Sequence, residues 1–269
     1  MALDFEDILY EKHHRVQGAA WIIINRPDVR NAFRGQTVEE MIAAFNDAGQ
    51  DRTVGVVVLT GAGDRAFCSG GDVRWLAEAE KQALAEGRDL SSLVPHEAMR
   101  QCLKPVIARI NGYAIGGGHH MAYFADLSIA AEHAMFGQVG PRVGSPASGH
   151  LVTYLVKVVG AKKAREIWYL CRRYTAREAL EMGLVNAVVP YEKLDEEVDQ
   201  WCREILAASP TCLAVLKATF EAEYEYLREQ SKRNWVEEIA PEFFTSGESA
   251  EGMAAFAEKR EPDFSRFRR

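Results

Sequence analysis

The sequence predicts an α/β fold with crossover connections, followed by a largely helical C-terminal portion. Two runs of strand length, "VGVVVLTG" and "KPVIARI", are apolar almost without interruption, as in strands buried on both faces. Strand patterns cluster in the first half and alternate with helical ones, whereas the last third is nearly all helix. With 269 residues, 48% of them hydrophobic, the chain is long enough to bury a sizeable core.

Taken in order, "FEDILYEKHH" and "AAWIIINR" read as two short strands joined by a turn containing Gly18. "RPDVRNAF" is a loop, broken by Pro27. Over "TVEEMIAAFNDAG" the spacing predicts a helix with a capping box from Thr37 to Glu40, and with Val38, Met41, Ile42 and Phe45 on one face. Residues 72–97 are charged and alanine-rich without a clean apolar stripe, and read as a mobile or partly helical excursion. After "KPVIARI" come a glycine run that opens a helix and then the strand "LSIAA". "HLVTYLVKVVG", "AKKAREIWYLC" and "TAREALEMG" read as helices, the last boxed by Thr175 and Glu178 and stopped at Gly183. "VNAVVP" is a short strand, and residues 194–208 and 210–229 are helical. A last helix over "ESAEGMAAFAEKR" is expected to take its cap from Thr245 and Glu248. The expected division is a core over 1–195 and a helical region over 196–269. That region has apolar faces and little sheet to cover, which suits packing on neighbouring subunits.

Composition narrows the function classes. The net charge of −7, with no basic stripe, argues against a nucleic-acid partner. No apolar run approaches the length of a membrane span, so no membrane partner is expected. Cysteines number five and form no C-x-x-C pair, so neither a disulfide framework nor a metal site is expected. Reduced thiols and an acidic N-terminus without an apolar core point to a cytoplasmic protein.

Two glycine segments stand out, "DRAFCSGGD" at 64–72 and "GYAIGGGHH" at 112–120, each after an apolar strand. Glycine lets a backbone approach a ligand with no side chain between them. At a helix start the free N–H groups favour negative charge. One N–H from each segment, converging on a single oxygen, makes an oxyanion hole. The plainer reading is close helix–strand packing. A dinucleotide fingerprint does not fit the spacing, and a phosphate loop lacks its Gly-Lys-Ser/Thr.

Together with "INRPDVRNAF", "VVVLTGAGDRAFCSGGD", "KPVIARINGYAIGGG", "ADLSIAAEHAMFGQ" and "TAREALEMGLVNAVVP", these segments resemble the enoyl-CoA hydratase/isomerase (crotonase) superfamily over nearly the whole chain. "FGQVGPRVGS" and "EKREPDFSRF" are similar to its branch of 2-ketocyclohexanecarboxyl-CoA hydrolases and 1,4-dihydroxy-2-naphthoyl-CoA synthases. The resemblance implies a crotonase (ClpP-like) spiral of ββα units with a helical C-terminal trimerisation region, assembled as a homotrimer or a dimer of trimers. It implies an acyl-CoA substrate, a coenzyme A thioester, with no tightly bound cofactor. The expected chemistry is ring-opening hydrolysis or Claisen-type C–C chemistry on a cyclic β-keto acyl-CoA. Hydration or isomerisation of an enoyl-CoA is the alternative, and a non-catalytic acyl-CoA-binding relative is a third.

Residue by residue, the resemblance puts the oxyanion-hole N–H groups at Gly71 and Gly117 and a CoA-binding turn at Arg30, Asn31 and Ala32. Lys259 is a further candidate for CoA contact. Several family positions depart from the pattern. The two hydratase glutamates fall on His120 and Gly140, the branch's aspartate on Ala147, and its late tyrosine on Phe244. Gly140 is also what the branch shows where it borrows bicarbonate as base, so bicarbonate at Gly140 is an expectation here. His120 should face the acyl pocket, where a histidine titrating near neutrality suits acid–base work, and a packing histidine on the helix is the alternative reading. His119 reads as a packing residue and Asp72 as a brace for the glycine turn. Ser145, Ser148 and His150 lie on the segment expected to line the pocket. Trp75, Leu76, Leu93 and His96 are candidates for a lid.

Overall fold

The computed structural model describes residues 4–72, 75, 95–147, 149–230 and 235–267. Most of the excursion expected at 72–97, with Leu76 and Leu93, lies outside the described residues, and so does Ser148.

Strand β1 (Ile8–Lys12) runs antiparallel to β2 (Ala19–Ile24), and the chain turns at Gly18 with φ +94°. From β2 the main sheet continues in parallel through β3 (Val56–Gly61), β5 (Val106–Ile110), β7 (Leu127–Ala131) and β10 (Ala187–Val189). A smaller sheet holds β4 (Ala66–Cys68), β6 (Tyr113–Ile115), β8 (Met135–Gly137) and β9 (Tyr174–Thr175) in that order. The chain steps from a main-sheet strand directly into a small-sheet strand at β3–β4, β5–β6 and β7–β8. Helices carry it back: α1 (Gly35–Gln50) follows β2, α2 (His96–Gln101) precedes β5, and α3 (Gly117–Phe124) follows β6. A parallel pair needs such a crossover, and here a second strand and a helix supply it. This repeating strand–strand–helix turn is the spiral that the resemblance implied.

Both faces of the main sheet are covered. Val56, Val58, Ile107 and Ile129 pack with Leu194, Val198 and Cys202 of α7 (Leu194–Leu206), while the alternate residues Val57 and Leu59 are fully buried too. That is why these strands read as unbroken apolar runs.

The remaining helices are α4 (His150–Val159), α5 (Ala161–Leu170), α6 (Ala176–Glu181), α8 (Pro210–Gln230), α9 (Trp235–Ile239) and α10 (Glu248–Glu258). The chain forms two units, Met1–Phe136 with Tyr174–Glu221, and Gly137–Arg173 with Ala222–Arg269. In the first unit α7 covers the sheet, and the buried Lys217 of α8 donates to the Met99 and Lys104 carbonyls (each 2.9 Å) and to Asp126 (2.7 Å). In the second unit the 140s loop packs on α10. A Cβ at Gly252 would meet the Gly144 nitrogen and the Val143 carbonyl carbon at 2.4 Å.

Two expected caps are corrected. Helix α1 starts at Gly35, so Thr37 lies inside it; its hydroxyl accepts the Arg34 N–H and donates to Asp7. Glu40 instead accepts the N–H groups of Glu6, Asp7 and Ile8, tying down the N-terminal strand. At α10 the N-cap is Gly247, and Ser246 rather than Thr245 accepts the Glu248 N–H. The box at Thr175 and Glu178 forms as expected.

Candidate active site

The turn at residues 30–33 is built on an unusual backbone. Arg30 and Asn31 both have positive φ (56° and 55°), a conformation costing about 1–2 kcal/mol per L-residue and tolerated best by Asn. Asn31 repays it. Its buried side chain accepts the Arg26 N–H (3.1 Å) and donates to the Ala62 and Ala66 carbonyls (2.9 and 2.7 Å). Thus Asn31 is a structural keystone of the expected CoA turn. The Ala32 carbonyl accepts Arg26 Nη1, and Arg26 also pairs with Asp72 at 3.2 Å, so Asp72 braces the glycine turn as expected. Arg30 is exposed.

The turn is stitched to the first glycine segment. Ser69 N–H donates to the Arg30 carbonyl, Phe33 N–H to the Gly70 carbonyl, and Asp72 N–H to the Phe33 carbonyl. In this parallel bridge Gly71 keeps its own N–H on the opposite edge, the side along which β4 pairs with β6. The second glycine segment arrives from β6. A Cβ at Gly117 would lie 2.4 and 2.6 Å from the Phe33 ring and 3.6 Å from the Gly70 Cα. At Gly118 it would fall 1.9 Å from the Cys68 carbonyl oxygen. Close packing therefore explains Gly118 completely. Gly117 opens α3 and has a helix-start N–H with no intrahelical partner. Among the described residues neither the Gly71 nor the Gly117 N–H has a hydrogen-bond acceptor, and both residues are half-buried. The structure therefore brings Gly71 and Gly117 together with the turn at Arg30 and Ala32.

His119 and His120 sit one after the other in the first turn of α3. His119 is fully buried, its ring edge-on to Tyr123 (5.2 Å) and near Phe136 (6.2 Å), which is the packing role expected. His120 is also buried, 5.6 Å from the Tyr123 ring. Burial pushes both imidazoles down to about 3, with His119 and His96 adding repulsion at His120. His120 therefore does not titrate near neutrality as its residue type implies. Removing water penalises the charged form.

This has a consequence for stability. An unfolded histidine protonates near pH 6.5, whereas these two stay neutral in the fold down to about 3. Their full contribution is present above pH 6.5. As pH falls from there toward 3 the unfolded chain binds more protons and stability drops, by about 1.4 kcal/mol per pH unit per histidine. Urea midpoints at pH 7.5 and 5 should show this fall, and His119→Gln should flatten it. Equal slopes in variant and wild type would contradict the buried neutral state.

Most of the other expected residues belong to the second unit. In the second unit Ser145 N–H donates to the Gly140 carbonyl, and a Cβ at Gly140 would fall 2.6 Å from the Ser145 carbonyl oxygen. The fold of its own loop thus excludes a side chain at Gly140, and a glutamate there with it. Ser145 is exposed and Ala147 half-buried. His150 opens α4 and packs edge-on to Tyr154 (5.4 Å) and obliquely on Tyr224 (6.3 Å). Lys259 is the exposed left-handed residue closing α10, and Phe244 packs on Phe243. Of the lid candidates that are described, Trp75 lies against Gly35, and His96 is buried and stacks on Phe124 at 4.7 Å.

The sequence reading missed Phe33. Its ring fills the space beside Gly117, and the only local signal was an aromatic directly after "NA". It also missed α2, six residues long and too short for a periodic pattern.

Comparison with known proteins agrees with this arrangement. A subunit described as enoyl-CoA hydratase subunit I from Geobacillus kaustophilus is 32% identical, with a TM-score of 0.74 over 97% of this chain and 98% of that one. An enoyl-CoA hydratase/isomerase from Xanthobacter autotrophicus is 30% identical, with a TM-score of 0.80 over 99% and 100%. An enoyl-CoA hydratase from Mycobacterium avium subsp. paratuberculosis is 26% identical, with a TM-score of 0.80 over 97% and 99%. The family model described as enoyl-CoA hydratase/isomerase matches residues 14–267. With the spiral of strand–strand–helix turns and the two packed glycine segments, this match means that the chain belongs to the enoyl-CoA hydratase/isomerase, or crotonase, family.

Proposed function

We propose that this chain acts on acyl-CoA thioesters and holds the thioester oxygen with the N–H groups of Gly71 and Gly117. The observation that carries the reading is the pair of half-buried N–H groups without acceptors among the described residues, on two segments packed against one another. A thioester carbonyl placed there accepts two hydrogen bonds. Addition of water to the β-carbon of an enoyl thioester, or cleavage of the ring C–C bond after water adds to a β-ketone, moves an electron pair onto that oxygen as an enolate, and the two bonds strengthen as charge develops. Arg30 and the backbone of Ala32 lie beside the first glycine segment, where the CoA end would pass, and Lys259 is the further expected contact.

Two finer readings follow from different observations. The related structures, an enoyl-CoA hydratase subunit and an enoyl-CoA hydratase/isomerase, favour hydration or isomerisation of an enoyl-CoA. The side chains favour ring-opening or Claisen-type chemistry on a cyclic β-keto acyl-CoA, since Gly140 has no carboxylate and His120 is neutral. In the first reading a neutral His120 orients the water or the proton by hydrogen bonding. In the second, bicarbonate near Gly140 supplies the base, and Ser145 lies on the same loop. The trimeric assembly expected of the chain has support in α8, which exposes Val215, Leu216 and Phe220.

One turnover assay in deuterated buffer tests these readings. Crotonyl-CoA and 2-oxocyclohexanecarboxyl-CoA are each incubated with and without bicarbonate and followed by mass spectrometry. Deuterium at the α-carbon of either substrate is the expected result. Water added to crotonyl-CoA, lost in His120→Ala, selects hydration. A ring-opened diacid dependent on bicarbonate selects the other reading. Absence of α-exchange, ring opening and hydration across a panel of acyl-CoA thioesters that bind would overturn the catalytic proposal.

A further inference from the structure

The carbonyl and the N–H of one peptide bond are two ends of a rigid plane, so a group that fixes the carbonyl also aims the N–H. The Gly71 N–H shares its peptide plane with the Gly70 carbonyl, and that oxygen accepts the Phe33 N–H at 2.9 Å. The Phe33 N–H in turn shares its plane with the Ala32 carbonyl, and that oxygen accepts from Nη1 of Arg26. Two peptide groups in series therefore join the Arg26 guanidinium to a donor proposed for the thioester oxygen. Every member of this line lies in the first unit.

The glycines do little to hold this line themselves. Gly70 has φ +97°, and its own N–H rests on the Cys68 sulfur at 3.4 Å, a weak acceptor. Two successive glycines leave the peptide between them free to rotate. Arg26 supplies the hold. Its Nη2 lies 3.2 Å from the Asp72 carboxylate, and the Asp72 N–H donates to the Phe33 carbonyl at 2.8 Å. One planar fork thus grips the chain on both sides of the Gly70–Gly71 peptide. The backbone N–H of Arg26 is fixed by the buried Asn31 side chain at 3.1 Å. Nε stands 3.6 Å from Asp7, which is engaged more closely by Arg34 (2.8 and 2.9 Å) and Thr37 (2.5 Å). The Arg26 side chain is 16% exposed, so salt and water screen little of its charge. Charge at one end of a hydrogen-bond chain polarises each group along it.

We propose that Arg26 is a positioning residue for the Gly71 donor. Acting through the Ala32–Phe33 and Gly70–Gly71 peptide groups, it aims that N–H and strengthens it as negative charge develops on the thioester oxygen. The Phe33 ring fills the space beside Gly117, so the same anchor also faces the second donor. A donor oriented in advance costs no reorganisation when the charge appears. The benefit grows with that charge, so a neutral thioester gains little from it. The inference rests on the acyl-CoA reading and adds to it a residue outside both glycine segments.

The test uses two thioesters: acetoacetyl-CoA, whose enolate has its own near-ultraviolet band, and butyryl-CoA, which has none. The enolate band of bound acetoacetyl-CoA is titrated against pH in wild type, Arg26→Gln and Arg26→Lys. Calorimetry gives butyryl-CoA affinity, and melting curves check folding. In wild type the titration midpoint is expected below that of free acetoacetyl-CoA. In Arg26→Gln it should rise by about one pH unit, a tenfold loss of preference for the enolate, as for one charge-assisted hydrogen bond. Arg26→Lys should fall between the two, since an ammonium keeps the charge without the fork. Butyryl-CoA affinity should be nearly unchanged in both variants. A wild-type midpoint in Arg26→Gln, or an equal loss of butyryl-CoA affinity, overturns the inference and leaves the role of Gly71 standing. If Arg26→Gln does not fold, Arg26→Lys decides: an intermediate midpoint supports the inference and a wild-type midpoint overturns it. A wild-type protein that does not bind acetoacetyl-CoA, or does not lower its midpoint, removes the two-donor reading and this inference with it.

Discussion

Gly117→Ala is expected to lower acyl-CoA turnover by about 10²–10³-fold while leaving the strands paired. The added methyl would overlap the Phe33 ring, whose nearest atoms lie 2.4 and 2.6 Å from the Cβ position. Phe33 is itself tied through its N–H and carbonyl to residues 70 and 72, so it cannot yield without moving the first glycine segment. Either α3 shifts and carries the Gly117 N–H away, or the Gly71 strand does. Both routes separate the two donors proposed to hold the enolate oxygen. Circular dichroism and a melting curve establish that the variant is folded, and α-deuterium exchange reads the chemistry. The double variant with Phe33→Ala makes room for the methyl and should recover part of the exchange. Full activity in Gly117→Ala alone would remove the two N–H groups from the mechanism.

Asn31→Ala should cost about 3–5 kcal/mol of stability, the largest effect expected from a single exposed-loop neighbour. It leaves the Arg26 N–H and the Ala62 and Ala66 carbonyls without their partner, in a place that is buried. It also puts a residue with no polar side chain at φ 55°, a conformation Asn tolerates better than Ala. Asn31→Gly separates the two causes, because glycine restores the backbone freedom and not the hydrogen bonds. It should recover about 1 kcal/mol of the loss. Urea denaturation of both variants gives the numbers. A loss under about 1 kcal/mol in Asn31→Ala would mean that water replaces the side chain and that the turn is not built on it.

The difference between Asn31 and its neighbours shows how far local pattern reaches. The apolar runs of β3 and β5 were legible because burial on both faces is written into consecutive residues. The box from Thr175 to Glu178 was legible because both partners lie within one turn. A similar spacing at Thr37 and Glu40 misled, because both side chains are claimed by the N-terminal strand some thirty residues away. The same holds at Thr245, where a nearer serine hydroxyl wins.

The candidate site divides along the same line. The two glycine segments announced a close backbone approach, since glycine runs at strand ends have few other physical uses. Which approach each served was not legible: Gly118 clears the Cys68 carbonyl, Gly140 the Ser145 carbonyl, and Gly117 the Phe33 ring. His120 shows the limit most sharply. Its residue type promised a group titrating near neutrality, and the fold holds it near 3 by removing water. The sequence by itself determined the succession of strands and helices and the places where the backbone must be bare, because these depend on short-range periodicity and on the absence of a Cβ; the closing of those elements into a spiral was implied by the family resemblance alone. Only the tertiary structure decided the protonation of His120, the partners of Asn31 and the line of peptide groups from Arg26 to Gly71. Burial and charge are set by residues distant in the chain, and no local pattern encodes them.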